Sequence, residues 1–372
     1  MIISNMTNKT KVDDDLAEVL DADFDSYVLN PWTWVDPDGG TPHYVFILPI
    51  VAFIALVCNI LIITVFVKQK MMSTTNIIMT GIAISDTLTV MSPTPLLIYI
   101  YGSGHAHIIP FDLCVYWEYL MKNICSVTHT ASIWLTMYLG INRYLGVCHP
   151  FVMRRRCNTK TTVETIFFIY VLSVLFHLCR FIDTKYVPEY TGSNVTNITC
   201  SARHADWLKD REKLYECIYH WCHIVCICVI PCATLVILDT IMLRQIRKSE
   251  TQRSVYLSKN QSVINKSRHS ESIRTTKIIV TILAMVCLLE LSLGTLLVLW
   301  TLSMMGFMTI PEKYLGFAST LVNFCIYISY PFIFLLYCWL STRFRHGMCQ
   351  VFRLNTYLRK KSVETSLIAM SK

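Results

Sequence analysis

The chain has 372 residues, 53% of them hydrophobic and only 16% charged, with a formal net charge of +8. A soluble domain carries about 25% charged residues, so a water-soluble globular fold is excluded. The charge is concentrated between long apolar runs, as expected where lipid is the solvent and about 20 apolar residues span the hydrocarbon core as a helix.

Residues 1–43 carry nine Asp/Glu and two Lys. Met1–Thr10 is polar, so no cleavable signal peptide is expected and the first apolar run acts as its own insertion signal. The segment reads as a poorly ordered, exported tail. Its sequons at Asn5 and Asn8 are candidate glycosylation sites.

Seven apolar runs follow, at Tyr44–Val67, Asn76–Tyr101, Cys114–Leu145, Thr162–Phe181, Tyr215–Leu243, Lys277–Met305 and Tyr314–Leu340. Lipid offers the backbone no hydrogen-bond partners, so each run is expected to be a helix. The predicted fold is an all-α integral membrane protein: a seven-transmembrane helix bundle over residues 44–340. A short amphipathic cytoplasmic helix over 341–354 and a cytoplasmic tail over 355–372 complete it. Arg143 and Lys277 are counted here with the connections they border. The connections after runs 1, 3 and 5 and the C-terminal segment then hold 23 Lys/Arg, against 8 in the N-terminal segment and the other three connections. The positive-inside rule places the N-terminus outside the cell and the C-terminus in the cytoplasm. Sequons at Asn194 and Asn197 fall on the same outer side as Asn5 and Asn8.

Of 16 cysteines, most lie within the runs, where a thiol behaves as a small apolar group. Cys114 and Cys200 lie on the oxidising side and are the best candidates for one disulfide, with Cys217 a rival to Cys200. No catalytic motif is present. His220 and His223 share a helix face, but structural zinc takes four ligands and no third is evident, so no metal site is expected.

A charge at mid-membrane costs a few kcal/mol and marks a functional position. Asp86 reads as a conformational switch, and Glu290 equally as a ligand contact or an internally paired group. Glu118 and Lys122, spaced i, i+4, read as an ion pair. Arg180 closes the fourth run.

The third run ends in Asn142-Arg143-Tyr144, with Pro150 beyond. This resembles the Asp-Arg-Tyr signature of rhodopsin-like (class A) G-protein-coupled receptors, with Asn142 in place of the acid. That family's other marks fall in step: Asn59 and Asp86 as its inner polar network, Ser132 as a partner of Asp86 around a sodium ion, Pro231 as a helix-bending proline, and Cys114–Cys200 as the outer disulfide. A narrower likeness is to the invertebrate sex peptide/myoinhibitory peptide, FMRFamide-like and myosuppressin receptor group. It rests on His129-Thr130-Ala131-Ser132-Ile133-Trp134-Leu135-Thr136, on Arg180-Phe181-Ile182-Asp183 and on Ser329-Tyr330-Pro331-Phe332. The 29-residue spacing from Cys114 to Arg143 adds one helical turn, lifting Cys114 about 5–6 Å outward. Glu290 and Ser292 stand where the wider family has a Trp and a Pro, so the kink of the sixth helix is expected to be altered. Tyr337 takes the tyrosine role of the seventh helix, with Ile333 and Phe334 replacing its Asn and Pro.

The resemblance implies a plasma-membrane receptor for an extracellular neuropeptide, short and C-terminally amidated, that acts on heterotrimeric G proteins. Arg143, Tyr144 and Tyr337 would carry coupling, alongside Asn142. Tyr99, Glu118, Lys122, Arg180, Trp221 and Glu290 are the ligand-binding candidates, with Glu290 facing an arginine or amine of the peptide. Cys349 is placed for palmitoylation. Tail Ser/Thr residues suit a receptor kinase and arrestin, the basic third inner loop suits membrane lipid, and no nucleic acid is implied. Amine receptors have an Asp where this chain has Cys125. A chemosensory or lipid-sensing receptor is the alternative within the family. A channel or transporter is disfavoured by the lack of repeats.

Overall fold

The computed structural model describes residues 46–70, 73–102, 111–190, 198–256, 263–340 and 344–352. The predicted segments 1–43 and 355–372, and the sequons at Asn5, Asn8, Asn194 and Asn197, lie outside them.

Seven helices are long and apolar enough to cross a membrane: Leu48–Lys68, Thr74–Tyr99, Leu113–Cys148, Thr159–Phe176, Glu212–Lys248, Ile279–Met304 and Tyr314–Phe332. They are called the first to seventh spans below. Local chemistry fixes their ends. Pro49 sits in the first turn of the first span, where a missing N–H costs nothing. Ser73 and Asn158 cap the second and fourth spans, accepting from the backbone N–H of Asn76 and Thr161 at 3.3 and 2.8 Å. Helix Thr74–Met91 breaks before Thr94–Gly102 around Pro93, whose ring excludes a regular turn.

The apolar side chains divide between an interior and a lipid-facing surface. The fourth span buries only Thr162, Ile169 and Ser173, while Phe167 and Phe168 are exposed. Among them the bundle packs closely. A Cβ at Gly140 of the third span would lie 2.6 Å from Leu235 of the fifth, and one at Gly294 of the sixth would lie 3.1 Å from Cys228. Small residues let membrane helices approach in this way.

Three features depart from regular expectation. The first is in the third span, where residues Glu118–Ile124 are π-helical. Part of the extra length between Cys114 and Arg143 is therefore taken up by wider turns. The second is in the fifth span, where Ile224–Val229 is π-helical immediately before Pro231. Proline cannot donate to the ladder and crowds the carbonyl four residues back, and the wider turn relieves both. The third is a two-stranded antiparallel hairpin between the fourth and fifth spans, β1 (Thr184–Tyr190) and β2 (Ile198–His204). It runs in register from Thr184 opposite His204 to Tyr190 opposite Ile198. The apolar-run reading of an all-α chain did not contain it.

The sixth span belongs to an unbroken helix, Val263–Met304. It carries Ser292 rather than a proline. In the seventh, Pro331 lies inside helix Glu312–Leu340. Residues 344–352 are helical, within the predicted 341–354. Phe344 is fully buried between Phe66 and Phe334, with ring centroids 5.9 and 6.0 Å apart. The helix docks on the first span at the end opposite the hairpin.

Candidate functional site

Charged side chains gather beneath the hairpin. Lys122 Nζ lies 3.0 Å from Glu118 Oε1, and both are buried. The expected i, i+4 pair thus exists, and it lies on the π-helical stretch. The second Glu118 oxygen accepts from the Tyr186 hydroxyl of β1 at 2.6 Å. Burial first, then the Glu118 charge, pushes the Tyr186 hydroxyl above its ordinary range and keeps it a donor.

Arg180 does not close the fourth helix. That helix ends at Phe176, and Arg180 lies in the short 3₁₀ turn Leu178–Phe181. The turn swings the side chain over the bundle. Its Nη1 donates to Asp183 Oδ2 at 2.8 Å and to Glu216 Oε1 at 2.6 Å, and its guanidinium sits 4.5 Å from the Tyr219 ring centroid. Burial works against this charge, but Glu216 and Asp183 outweigh it and hold Arg180 above its usual range. Asp183 also accepts from Thr184 at 2.8 Å and Tyr215 at 3.0 Å. His177 bridges Thr130 and Tyr219 at 2.7 and 2.8 Å.

Three carboxylates, Glu118, Asp183 and Glu216, therefore face two cations, Lys122 and Arg180, at the hairpin end of the third to fifth spans. Asp183, Tyr186 and Glu216 were not among the sequence candidates. Asp183 stood in the quoted Arg180–Asp183 motif three residues from its partner, which is a usable signal. Glu216 gave none, since its partner is 36 residues away.

Glu290 is not part of this network. Its Oε1 lies 3.4 Å from His129 Nε2, and it is buried. Glu290 thus has an internal neighbour, the imidazole of His129. Tyr99 and Trp221 are exposed. Nearby, Ser132 Oγ donates to Asp86 Oδ1 at 2.5 Å, which brings together two of the three inner polar residues. Asn59 instead donates to Thr87 at 2.9 Å.

At the opposite end, Asn142 is buried and accepts from Thr75 of the second span at 3.3 Å. Its carboxamide thus ties the third span to the second. Arg143 is half-buried. Tyr144 shares a hydrogen bond with His149 at 3.1 Å. Tyr337 lies on helix Glu312–Leu340, and its side chain is outside the described residues. Cys349 is exposed on the helix over 344–352.

Cys114, fully buried at the head of the third span, is disulfide-bonded. Cys217 is a free thiol, which removes it as a rival. Cys200 lies on β2. No cluster of metal-ligating side chains is found among the described residues, His220 and His223 included.

Seven packed spans, a polar network under a hairpin at one end and an Arg-Tyr pair at the other define a seven-helix membrane bundle. The rhodopsin family of seven-transmembrane receptors matches residues 58–334, and the chain belongs to that family. It is similar to the sex peptide receptor of Drosophila melanogaster, 28% identical over 331 residues, 87% of this chain and 75% of the relative. It is also similar to sex peptide receptor-related protein 2 of Caenorhabditis elegans, 25% identical with 83% and 70% covered. The FMRFamide receptor of Drosophila melanogaster is 26% identical over 56% of this chain and 38% of its own length.

Proposed function

We propose that this chain is a plasma-membrane receptor for a short, amidated extracellular peptide and that it signals to heterotrimeric G proteins in the cytoplasm. The observation that carries the reading is the buried network beneath the hairpin. Its three carboxylates outnumber its two cations, so it favours a ligand that brings positive charge and no terminal carboxylate. An arginine-bearing peptide with an amidated C-terminus has that chemistry. The names of the sex peptide and FMRFamide receptors support a peptide ligand.

In this reading the hairpin end faces outward, in keeping with the loop charges, and Cys114 is bonded to Cys200, tying β2 to the third span. Glu118, Lys122 and Arg180 exchange internal contacts for ligand contacts, with Tyr99 and Trp221 at the periphery. Glu290 acts through His129. Arg143, Tyr144 and Tyr337 form the G-protein face. Cys349 carries a palmitoyl chain, and a receptor kinase and arrestin act on the tail.

The test is expression with a promiscuous G protein and a screen of peptides, each as amide and as free acid. Amides should evoke responses at lower concentrations than their acids. A response to no peptide, alongside ligand-independent current, would overturn the proposal.

A further inference from the structure

Two free thiols face each other across the seam between the fifth and sixth spans. Cys232 and Cys287 are 3% and 4% exposed. Cys232 Sγ lies 3.9 Å from the Cys287 carbonyl oxygen, and Cys287 Sγ lies 4.0 Å from the Cys232 carbonyl oxygen. Such reciprocal reach requires the two backbones to be close. A second observation on the same seam agrees: a Cβ at Gly294 would sit 3.1 Å from Cys228 Cβ and 3.3 Å from its Sγ. A thiol is a weak donor, so packing alone does not call for a matched pair here.

We propose that Cys232 and Cys287 are a modification site, oxidised by hydrogen peroxide to a disulfide that joins the fifth and sixth spans. The oxidant is small and uncharged, which suits thiols in an apolar interior. In the first step one sulfur attacks a peroxide oxygen. The S–O bond forms, the O–O bond breaks, and the departing hydroxide takes the thiol proton as water, leaving a sulfenic acid. In the second step the other sulfur attacks the sulfenic sulfur. The S–S bond forms, the S–O bond breaks, and hydroxide leaves with the second thiol proton as water. Two thiols lose two electrons, and peroxide is reduced to two waters. The bond closes a loop between positions 55 apart in sequence and replaces weak sulfur contacts by a covalent tie. It therefore restricts movement of the two spans against each other. The chemistry does not depend on which ligand the receptor takes.

The experiment uses the full chain, purified in detergent and treated with increasing hydrogen peroxide. After unfolding and alkylation, mass spectrometry under non-reducing conditions should find the Cys232–Cys287 cross-linked peptide, lost on addition of dithiothreitol. The melting temperature should rise with peroxide in the wild type and stay flat in Cys232→Ser. Should that variant not fold, Cys287→Ala serves in its place. Both thiols remaining alkylatable at peroxide levels that oxidise the exposed thiol of Cys222 would overturn the proposal. So would an equal rise in melting temperature in the variant.

Discussion

Arg180 offers the sharpest perturbation, because one guanidinium nitrogen serves two carboxylates. Arg180→Met keeps much of the side-chain length and removes the charge. Asp183 and Glu216 then face each other without the cation they share, at 2.8 and 2.6 Å in the wild type. All three are nearly sealed from solvent, with side-chain exposures of 7%, 1% and 3%, so water does not screen the loss. Removing one partner of a buried ion pair costs about 3–5 kcal/mol. At about 1.4 kcal/mol per tenfold, that is at least a hundredfold in the ratio of folded to unfolded protein. Thermal unfolding of the receptor purified in detergent should show a drop of several degrees. The second arm is Arg180→Met with Glu216→Gln. It removes the stranded Glu216 charge, while Asp183 keeps its bonds from Thr184 and Tyr215. The double variant should be more stable than Arg180→Met alone, a coupling of about 1–3 kcal/mol. Two results would refute the argument: an unchanged melting temperature in Arg180→Met, or losses in the double variant that simply add.

Three further outcomes follow from the same geometry. Burial, with Arg180 second, pushes the His177 imidazole down to about 3 from its ordinary 6.5. The unfolded chain therefore binds a proton that the folded chain refuses, and stability should fall as the pH drops below about 6.5, by about 1.4 kcal/mol per unit. His177→Gln should lessen the slope of the stability–pH curve by about 1.4 kcal/mol per unit between about pH 6.5 and about pH 5, as read by thermal melts, and an unchanged slope would contradict the assignment. Gly140→Ala drives a methyl to within 2.6 Å of Leu235, beside fully buried Leu283, and should cost about 1–3 kcal/mol. Gly140→Ala should cost less in a Leu235→Ala background than in the wild type, whereas additive losses would count against close packing there. Phe344→Ala empties the slot between Phe66 and Phe334 and should cost about 3–5 kcal/mol. Hydrogen exchange over residues 344–352 should speed up while the third span stays protected, and equal protection in both proteins would refute the docking.

The spans were legible because hydropathy is additive along a chain. Each run reports its own transfer to lipid without reference to its neighbours, and the seven predicted runs match the seven spans to within a few residues at most ends. The disagreement at the end of the fourth run is instructive. The apolar fourth run reaches Phe181 through Leu178 and Cys179, yet the α-helix stops at Phe176. Arg180 decides the matter. A guanidinium that must meet Asp183 and Glu216 is better presented by a tight turn than by one more helical turn, and hydropathy does not see that requirement. The π-helical stretches were hidden for a similar reason. Pro231 was visible, but the slack it demands is taken up before it, at Ile224–Val229.

The site divides along the same line. Glu118 and Lys122 were legible as a pair because i, i+4 spacing is local information. Asp86 and Ser132, 46 residues apart, were joined only by resemblance to a family, and the structure brings them to 2.5 Å. His129 shows what neither route supplied. It stood in a quoted motif as a mark of kinship, with no chemical role, because its partner Glu290 is on another helix. Their approach to 3.4 Å gives Glu290 an internal neighbour across the bundle. Glu290 therefore joins the sixth span to the third, and Asn142 joins the third to the second through Thr75. Both substitutions replace a contact expected elsewhere by one that bridges helices. A change in helix packing at either position would disturb a buried polar pair, and each buried group left unsatisfied costs about 1–3 kcal/mol.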